Sequence, residues 1–513
     1  MTRASRTAAF SSLWFLTLLS LLFVVVFVIL LMWNSTTQQA QTSNDPLFMY
    51  CAAGIRVPVE KIVDQYQAES YGQPIQLQYG GSNTLLNQLE VAHVGDLYLA
   101  ADDSYIDLAM DKGLVKESIP VSWIRPVVVV SRGNPKNILT ADDLLREDVS
   151  VALGNPDAAA VGRKVRKLMK ASGHWDALAK HKKVYLPTVN EVANAVKIGS
   201  VDAGIIWDAI VAQYSDLEAV RLPELDAGAA RVTVGILTSS ERPTAALRFA
   251  RFFTARDKGL KIFKQQGFEA VEGDLWQEEP RITLYSGGVN RLAIQETIER
   301  FMRREGVQID VVYNGCGILC SQMKALRQGD RHGVFPDAYF ACDVSFMEQV
   351  RDLFSNPVNV SETDMVIITQ KSNPQGIRTL QDLTVAGIKL GVANPDESAL
   401  GALTRRLLRE LGIEQEIEKN VSTKTPTADL LLNQVRVGGL DAAIVYRANV
   451  SQVTSELDVI DIQHPLARAV QPYAAARDTV HRRTVERLMD DISRSRSQYE
   501  AAGFRYLLDV PSP

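Results

Sequence analysis

Apolar residues recur along this chain in two alternating rhythms. Leu47 to Ala53 is a short continuous apolar run ended by Gly54, as in a buried strand, and Val59, Ile62, Val63 and Tyr66 then fall at helical spacing behind Pro58, which suits a first helical position. Ile75, Leu77 and Tyr79 alternate as a second strand that runs into the turn Gly80-Gly81-Ser82-Asn83, and Leu85, Leu86 and Leu89 continue as a helix. Further strands are predicted at 96–101 and 127–130, and Phe252, Phe253, Ile262 and Phe263 mark closing helical segments before Gly267-Phe268. Strands alternating with helices predict α/β domains with mainly parallel sheets.

The same succession then happens again. Ile282 to Gly288 precedes Ile294, Ile298 and Phe301 on one helix face, and Val307, Ile309, Val311 and Tyr313 run into Asn314-Gly315-Cys316-Gly317. Strands are predicted at 337–342 and 365–368, and Leu488, Ile492 and Tyr499 close before Gly503-Phe504. Asn155-Pro156-Asp157, Gly162 and Asp202 to Trp207 return as Asn394-Pro395-Asp396, Gly401 and Asp441 to Tyr446, each 239 residues later. Asn134-Pro135 and Asn373-Pro374 keep that offset. Solenoid repeats are far shorter, roughly 20 to 50 residues, so this period means two whole domains in tandem. The polar stretch Glu272 to Arg281, with Gly273 and Pro280, separates predicted domains over 46–276 and 281–513.

Residues 1–45 differ in kind. Leu13 to Trp33 is uncharged, about 32 Å long as a helix, and matches a bilayer core of roughly 30 Å. A cleaved signal usually has a shorter apolar run, so the expectation is a retained single-pass anchor. Arg3 and Arg6 precede it and no basic residue follows until Arg56, which puts the N-terminus inside and the rest of the chain outside. Cys51 is too distant for a lipoprotein acceptor, and the Thr/Gln/Ser-rich stretch 34–44 reads as a tether.

Composition narrows the chemistry. The 513 residues are 46% hydrophobic, enough for two cores, and 55 basic residues among 60 acidic ones give no electrostatic case for nucleic acid. There is no Gly-x-Ser-x-Gly, no Walker pattern and no metal-spaced His/Cys group of standard form, so no enzyme and no cofactor is expected. What recurs is a strand entering a small-residue turn and then a helix. Such helix starts carry free N–H groups and roughly half a positive charge, which holds an oxyanion without a basic side chain.

The ordered series Phe48 to Gly54, Gly80-Gly81-Ser82, Asp96 to Asp102, Asn134-Pro135, Asn155 to Gly162, Asp202 to Trp207 and Gly267-Phe268 resembles the successive motifs of the molybdate-binding periplasmic proteins, type II substrate-binding proteins of ABC importers. The resemblance covers nearly all of 47–272 and, more weakly at its start, 281–506. It implies two tandem periplasmic-binding-protein type II domains, each bilobal, with a tetrahedral oxyanion, molybdate or tungstate, gripped in each cleft for an ABC permease. It also implies closure of the lobes around the ligand, with the bulk of the chain in the periplasm or outside the cell. Carried over by position, the ligand contacts fall on Gly54, Ser82 with Asn83, Val161, Val189 and Trp207 in domain one. In domain two they fall on Val289, Cys316, Leu400, Ala428 and Tyr446. Gly54 and Val289 replace a serine, and Cys316 is a weaker donor than Ser82. A lost hydroxyl bond to a charged ligand costs about 1.5 to 3 kcal/mol, so a sensor or scaffold with a different or lost ligand is the alternative.

Two further groups have more than one reading. Arg56 and Arg291 follow the first turn in each domain, where a guanidinium either replaces the missing hydroxyl or stays solvated. Of Cys51, Cys316, Cys320 and Cys342, the last three map near the cleft of domain two, as a soft-metal site, a disulfide or inert thiols.

Overall fold

The computed structural model describes residues 45–69, 74–181, 183–329 and 333–508. The anchor expected at 13–33 and its tether lie outside the described residues, and among the described residues no helix is long and apolar enough to cross a membrane.

Each half of the chain builds two lobes. In domain one the first lobe rests on a six-stranded sheet ordered Glu269–Ala270, Val115–Ile124, Ala230–Leu237, Leu97–Ala100, Leu47–Ala52 and Ile75–Gly80. The second rests on Lys183–Leu186, Val151–Gly154, Ala203–Trp207, Pro126–Ser131 and Leu217–Val220. Val127 to Val130 are all β-branched and fully inside, which suits a strand packed on both faces. The chain leaves the first lobe between Ile124 and Pro126 and returns between Val220 and Ala230.

The sheets are mixed, which corrects the expectation of mainly parallel ones. Leu47–Ala52 is parallel to both neighbours, but Ala230–Leu237 runs antiparallel to Leu97–Ala100 and to Val115–Ile124. A strand that re-enters a lobe after a crossing arrives from the far side, so it meets the earlier strands head to tail.

Domain two repeats this plan with one difference of continuity. Val358–Gln370 is a single thirteen-residue strand that pairs with Arg468–Ala475 in the first lobe and with Ala442–Tyr446 in the second. In domain one the same path breaks at Arg125, because Pro126 has no N–H to donate, whereas its counterpart Met365 donates to the Ala467 carbonyl at 2.8 Å.

Each domain has its own apolar core, and between them lies a polar seam. Glu305, buried at the end of helix Arg291–Glu305, takes Arg487 Nε and Nη2 at 2.8 and 2.9 Å and Arg251 Nη1 of domain one at 3.2 Å. Burial alone would raise its carboxyl; Arg487 and Arg251 together outweigh burial and hold it below the usual glutamate range. Arg304 pairs with Glu117 beside it. Asp274, in the connecting stretch, accepts the Arg483 and Thr484 N–H groups at 2.7 and 3.0 Å and so caps helix Arg482–Ser493, whose own N-cap His481 makes no side-chain cap bond. Apart from the Glu305–Arg487 pair, which lies within domain two, these contacts join the first lobe of one domain, or the stretch leaving it, to the first lobe of the other.

Candidate functional site

In domain one, four chain turns meet where the lobes face each other. Two come from the first lobe: the turn Ala53–Ile55 that leads into helix Arg56–Ala68, and Gly81, which opens helix Ser82–Ala92. Two come from the second: Ala159, before helix Ala160–Ala171, and Thr188, before helix Val189–Lys197. They enclose a cavity of about 20 Å³ lined by Gly54, Ser82, Val161, Thr188, Val189 and Trp207, among others. That is room for about one water-sized sphere. First-turn N–H groups have no acceptor within their own helix, and those of Ser82, Val161 and Val189 belong to this class.

Five of the seven residues expected in domain one are therefore gathered there, and the sequence shows why the space is small. A Cβ on Gly54 would lie 2.7 Å from Val189 Cγ2, so the isopropyl group of one lobe occupies the place a side chain would take on the other. Gly81 lies against the Ala158 carbonyl, where any Cβ would collide. The other two residues do different work. Asn83 bridges the lobes, its N–H donating to Ala158 O at 3.1 Å and its Nδ2 to Asp157 O at 2.7 Å. Arg56 is exposed, paired with Glu60 at 2.8 Å and set over the Tyr79 ring at 5.0 Å.

Two more contacts cross the rim. Lys164 Nζ lies 2.8 Å from the Asp102 carboxylate, itself only 4% exposed, and the Arg163 guanidinium covers the Tyr105 ring at 5.1 Å. No sequence pattern marks these pairs, since the partners lie some 60 residues apart on different lobes. Thr188 was legible in principle: Thr188 and Glu191 form a capping box, and the spacing Thr-x-x-Glu announces it.

Domain two assembles the same turns from different side chains. Gly288–Asn290, Gly315, Ser398 and Thr427 precede its four helices, and Val289, Cys316, Leu400, Ala428 and Tyr446 take the matching places, all buried. The Gly317 N–H donates across the lobes to Glu397 O at 3.0 Å, as Asn83 does in domain one. Cys316 Sγ accepts the Cys342 N–H at 3.0 Å, just as Ser82 Oγ accepts the Ala101 N–H at 3.2 Å. Tyr446 Oη is buried with no hydrogen-bond partner among the described residues; burial, with Cys342 and Asp343 nearby, pushes it well above the usual tyrosine range and keeps it a neutral donor. Asn290, buried, bonds through Nδ2 to Phe340 O at 3.2 Å and leaves Oδ1 without a partner among the described residues. Arg291, like Arg56, is exposed, lying over Tyr313 at 5.3 Å.

The rim of domain two is open. Ala402 and Leu403 stand where Arg163 and Lys164 brace domain one, and between the lobes lies a cavity of about 410 Å³ lined by Gly317, Ser321, Ser345, Ala402, Leu403 and Arg406, among others. Asp343 turns inward on its own lobe and accepts from Ser345 N at 3.0 Å and Ser345 Oγ at 2.6 Å.

The family described as bacterial extracellular solute-binding protein matches residues 47–269 and, a second time, 282–505. A Haemophilus influenzae protein described no further than as a binding protein is 27% identical over 233 residues, spanning 45% of this chain and 94% of its own. The molybdate-binding protein ModA of Mycobacterium bovis is 28% identical over 228 residues, 43% of this chain and 84% of its own. Among solved structures, the Azotobacter vinelandii periplasmic molybdate-binding protein aligns with 45% of this chain and 100% of its own at 13% identity, with a TM-score of 0.38.

Proposed function

The chain belongs to the bacterial extracellular solute-binding proteins, whose domain it carries twice, and from that premise we propose that it captures a small tetrahedral oxyanion, molybdate or tungstate, and presents it to an ABC importer. One observation carries the reading: in domain one, turns from both lobes converge so that first-turn residues of three helices, Ser82, Val161 and Val189, line a single cavity. Helix N-termini bring roughly half a positive charge each, and a water-poor pocket strengthens their attraction for an anion. Ser82 Oγ adds a hydroxyl there, and in domain two the unpartnered Tyr446 Oη is a neutral donor awaiting an acceptor. Because the closed cavity of domain one admits only about one water-sized sphere, the ligand enters when the lobes part and is held when Asn83 and Lys164 re-form their bonds. The protein releases its ligand unchanged. The apolar segment 13–33 would anchor it on the outer side of the cytoplasmic membrane.

A second reading, a tandem sensor or scaffold, is favoured by the apolar lining: Val161 and Val189 face the cavity, and neither Gly54 nor Val289 supplies a hydroxyl. Thermal unfolding of the whole chain with molybdate, tungstate, sulfate or phosphate separates the two. A ligand at a hundred times its Kd stabilises the native state by about 2.7 kcal/mol. A rise with molybdate or tungstate supports the receptor, and no rise with any anion leaves the sensor or scaffold in its place.

A further inference from the structure

Three of the four cysteines gather beside the cleft of domain two, and the receptor reading gives a role only to Cys316, as a weak donor. Cys316 opens helix Cys316–Gln328, and Cys342 follows strand Ala338–Phe340; both are buried. Their sulfurs lie 2.6 Å apart, much closer than two thiols in mere contact, while a disulfide requires about 2.05 Å. A small side-chain rotation closes that gap.

The packing is shaped around this pair. At the matching points of adjacent strands, domain one carries Ala52 and Ala101, and domain two carries Gly287 and Cys342. A Cβ on Gly287 would collide with Cys342 Sγ and lie 3.0 Å from Cys316 Sγ. The methyl missing from one strand is the volume that the sulfur from the other fills. Cys320 is turned elsewhere, with its sulfur 3.3 Å from Phe346 O and 3.7 Å from Tyr339 Oη, and Cys51 belongs to the other domain. Among the described residues no group of three or more His, Cys, Asp or Glu side chains is placed to hold a metal ion.

We propose that Cys316 and Cys342 form a reversible dithiol–disulfide couple, a modification site within the cleft of domain two that has no equivalent in domain one. The oxidant is an external disulfide, either a low-molecular-weight one or an oxidised cysteine pair of another protein. Cys316 thiolate attacks one of its sulfurs, making a mixed disulfide and releasing the first thiolate. Cys342 passes its proton to that thiolate and its sulfur attacks Cys316 Sγ, expelling the second thiolate, which takes up the proton shed by Cys316. Two electrons pass from the pair to the external disulfide, and the two protons leave on the released thiols.

Cys316 is the better attacker. It starts a helix, and although burial raises its thiol, hydrogen bonds from the Cys342 thiol, the Tyr339 hydroxyl and the Cys342 N–H bring it below the usual cysteine range. Cys342, which donates to it and is buried, is pushed well above that range. Exchange proceeds when the lobes part, since both sulfurs are covered in the closed form. One consequence rests on the receptor reading: oxidation removes the Cys316 S–H, a weak donor beside the anion site, so domain two binds its anion up to about tenfold more weakly when oxidised.

The test uses the whole chain, equilibrated with oxidised or reduced glutathione, alkylated, digested without reduction and mapped by mass spectrometry. The expected result is a linked peptide joining Cys316 to Cys342 in the oxidised sample only, with Cys51 and Cys320 alkylated in both. The link persists in Cys320→Ser and is lost in Cys316→Ser and in Cys342→Ala, variants that restore the residues domain one carries and so keep the fold. A full set of alkylated cysteines after oxidation, or a link from Cys316 to Cys320, overturns the couple. Calorimetry with molybdate on both forms then reads the consequence separately. An affinity unmoved by oxidation overturns the gating, and an absence of molybdate binding overturns the receptor reading, while the peptide map alone decides the couple.

Discussion

The two clefts share a backbone and part company in their side chains. Domain one is shut by Lys164 on Asp102 and Arg163 over Tyr105; domain two has Leu403 and Ala402 in those places and keeps a gap between its lobes. Where domain one places Ser82, Ala101 and Trp207, domain two has Cys316, Cys342 and Tyr446. The bond that reaches across the lobes in both copies, from Asn83 N and from Gly317 N, is made by the main chain. A site built on peptide groups tolerates side-chain drift that would erase one built on side chains. Duplication thus leaves two clefts with one shape and two chemistries.

The difference is sharpest at Gly287. Gly287→Ala alone is expected to destabilise the protein by about 3 kcal/mol, since the added methyl overlaps the Cys342 sulfur, and adding Cys342→Ala, which copies the Ala52 and Ala101 of domain one, should recover most of it. Denaturant unfolding of both variants measures this, and equal loss in both would mean that the methyl and the sulfur do not compete. The rim is next in size. Lys164→Leu, the residue of domain two, leaves the buried Asp102 without its ion pair and is expected to cost about 2 kcal/mol, less than for a fully enclosed pair because Lys164 still reaches water. Hydrogen exchange at Asn83 should quicken in that variant while exchange at Gly317 stays the same.

The smallest effect concerns the closing strands. Arg125 with Glu269 ties the last strand of domain one, and Asp364 with Arg505 ties that of domain two with the charges exchanged. Arg505 foremost, and Arg468 beside it, hold Asp364 below the usual aspartate range, so the tie is at full strength above about pH 4 and is lost as pH falls through the lower folded value. Amide exchange of the segment around Tyr506 should rise on acidification below pH 4, and Asp364→Asn should remove that dependence. A rise of the same size in the variant would assign the effect to another carboxylate.

Much of this was open to reading from the residues. Leu47–Ala52 and Pro126–Ser131 lie within a residue or two of where the sequence puts them because strands buried on both faces leave an apolar run, and the edge strand Ile75–Gly80 because its one covered face leaves an alternation. The turns Gly80-Gly81-Ser82 and Gly315-Cys316-Gly317 were visible for a similar reason: only small residues fit where one lobe lies on the carbonyls of the other. Arg56 and Arg291 show the limit. Their position at the head of a helix does not say which way a long side chain turns, and Tyr79 and Tyr313, one strand away, take the guanidinium groups instead of the cleft. Lys164 with Asp102, and Arg251 with Glu305, are equally silent in the sequence, for such pairs are chosen by packing between separately encoded surfaces.

The stretch around Asp274 carries a practical lesson. It looks like a spacer where a gene could be cut, yet its carboxylate finishes a helix that the second copy cannot finish for itself. Splitting the gene there would expose the apposed faces and leave Arg251 without its acid and Glu305 with one guanidinium fewer, so a truncated half that misbehaves would say little about what it binds. The seam makes each copy part of the other's scaffold, so the unit to be studied is the pair.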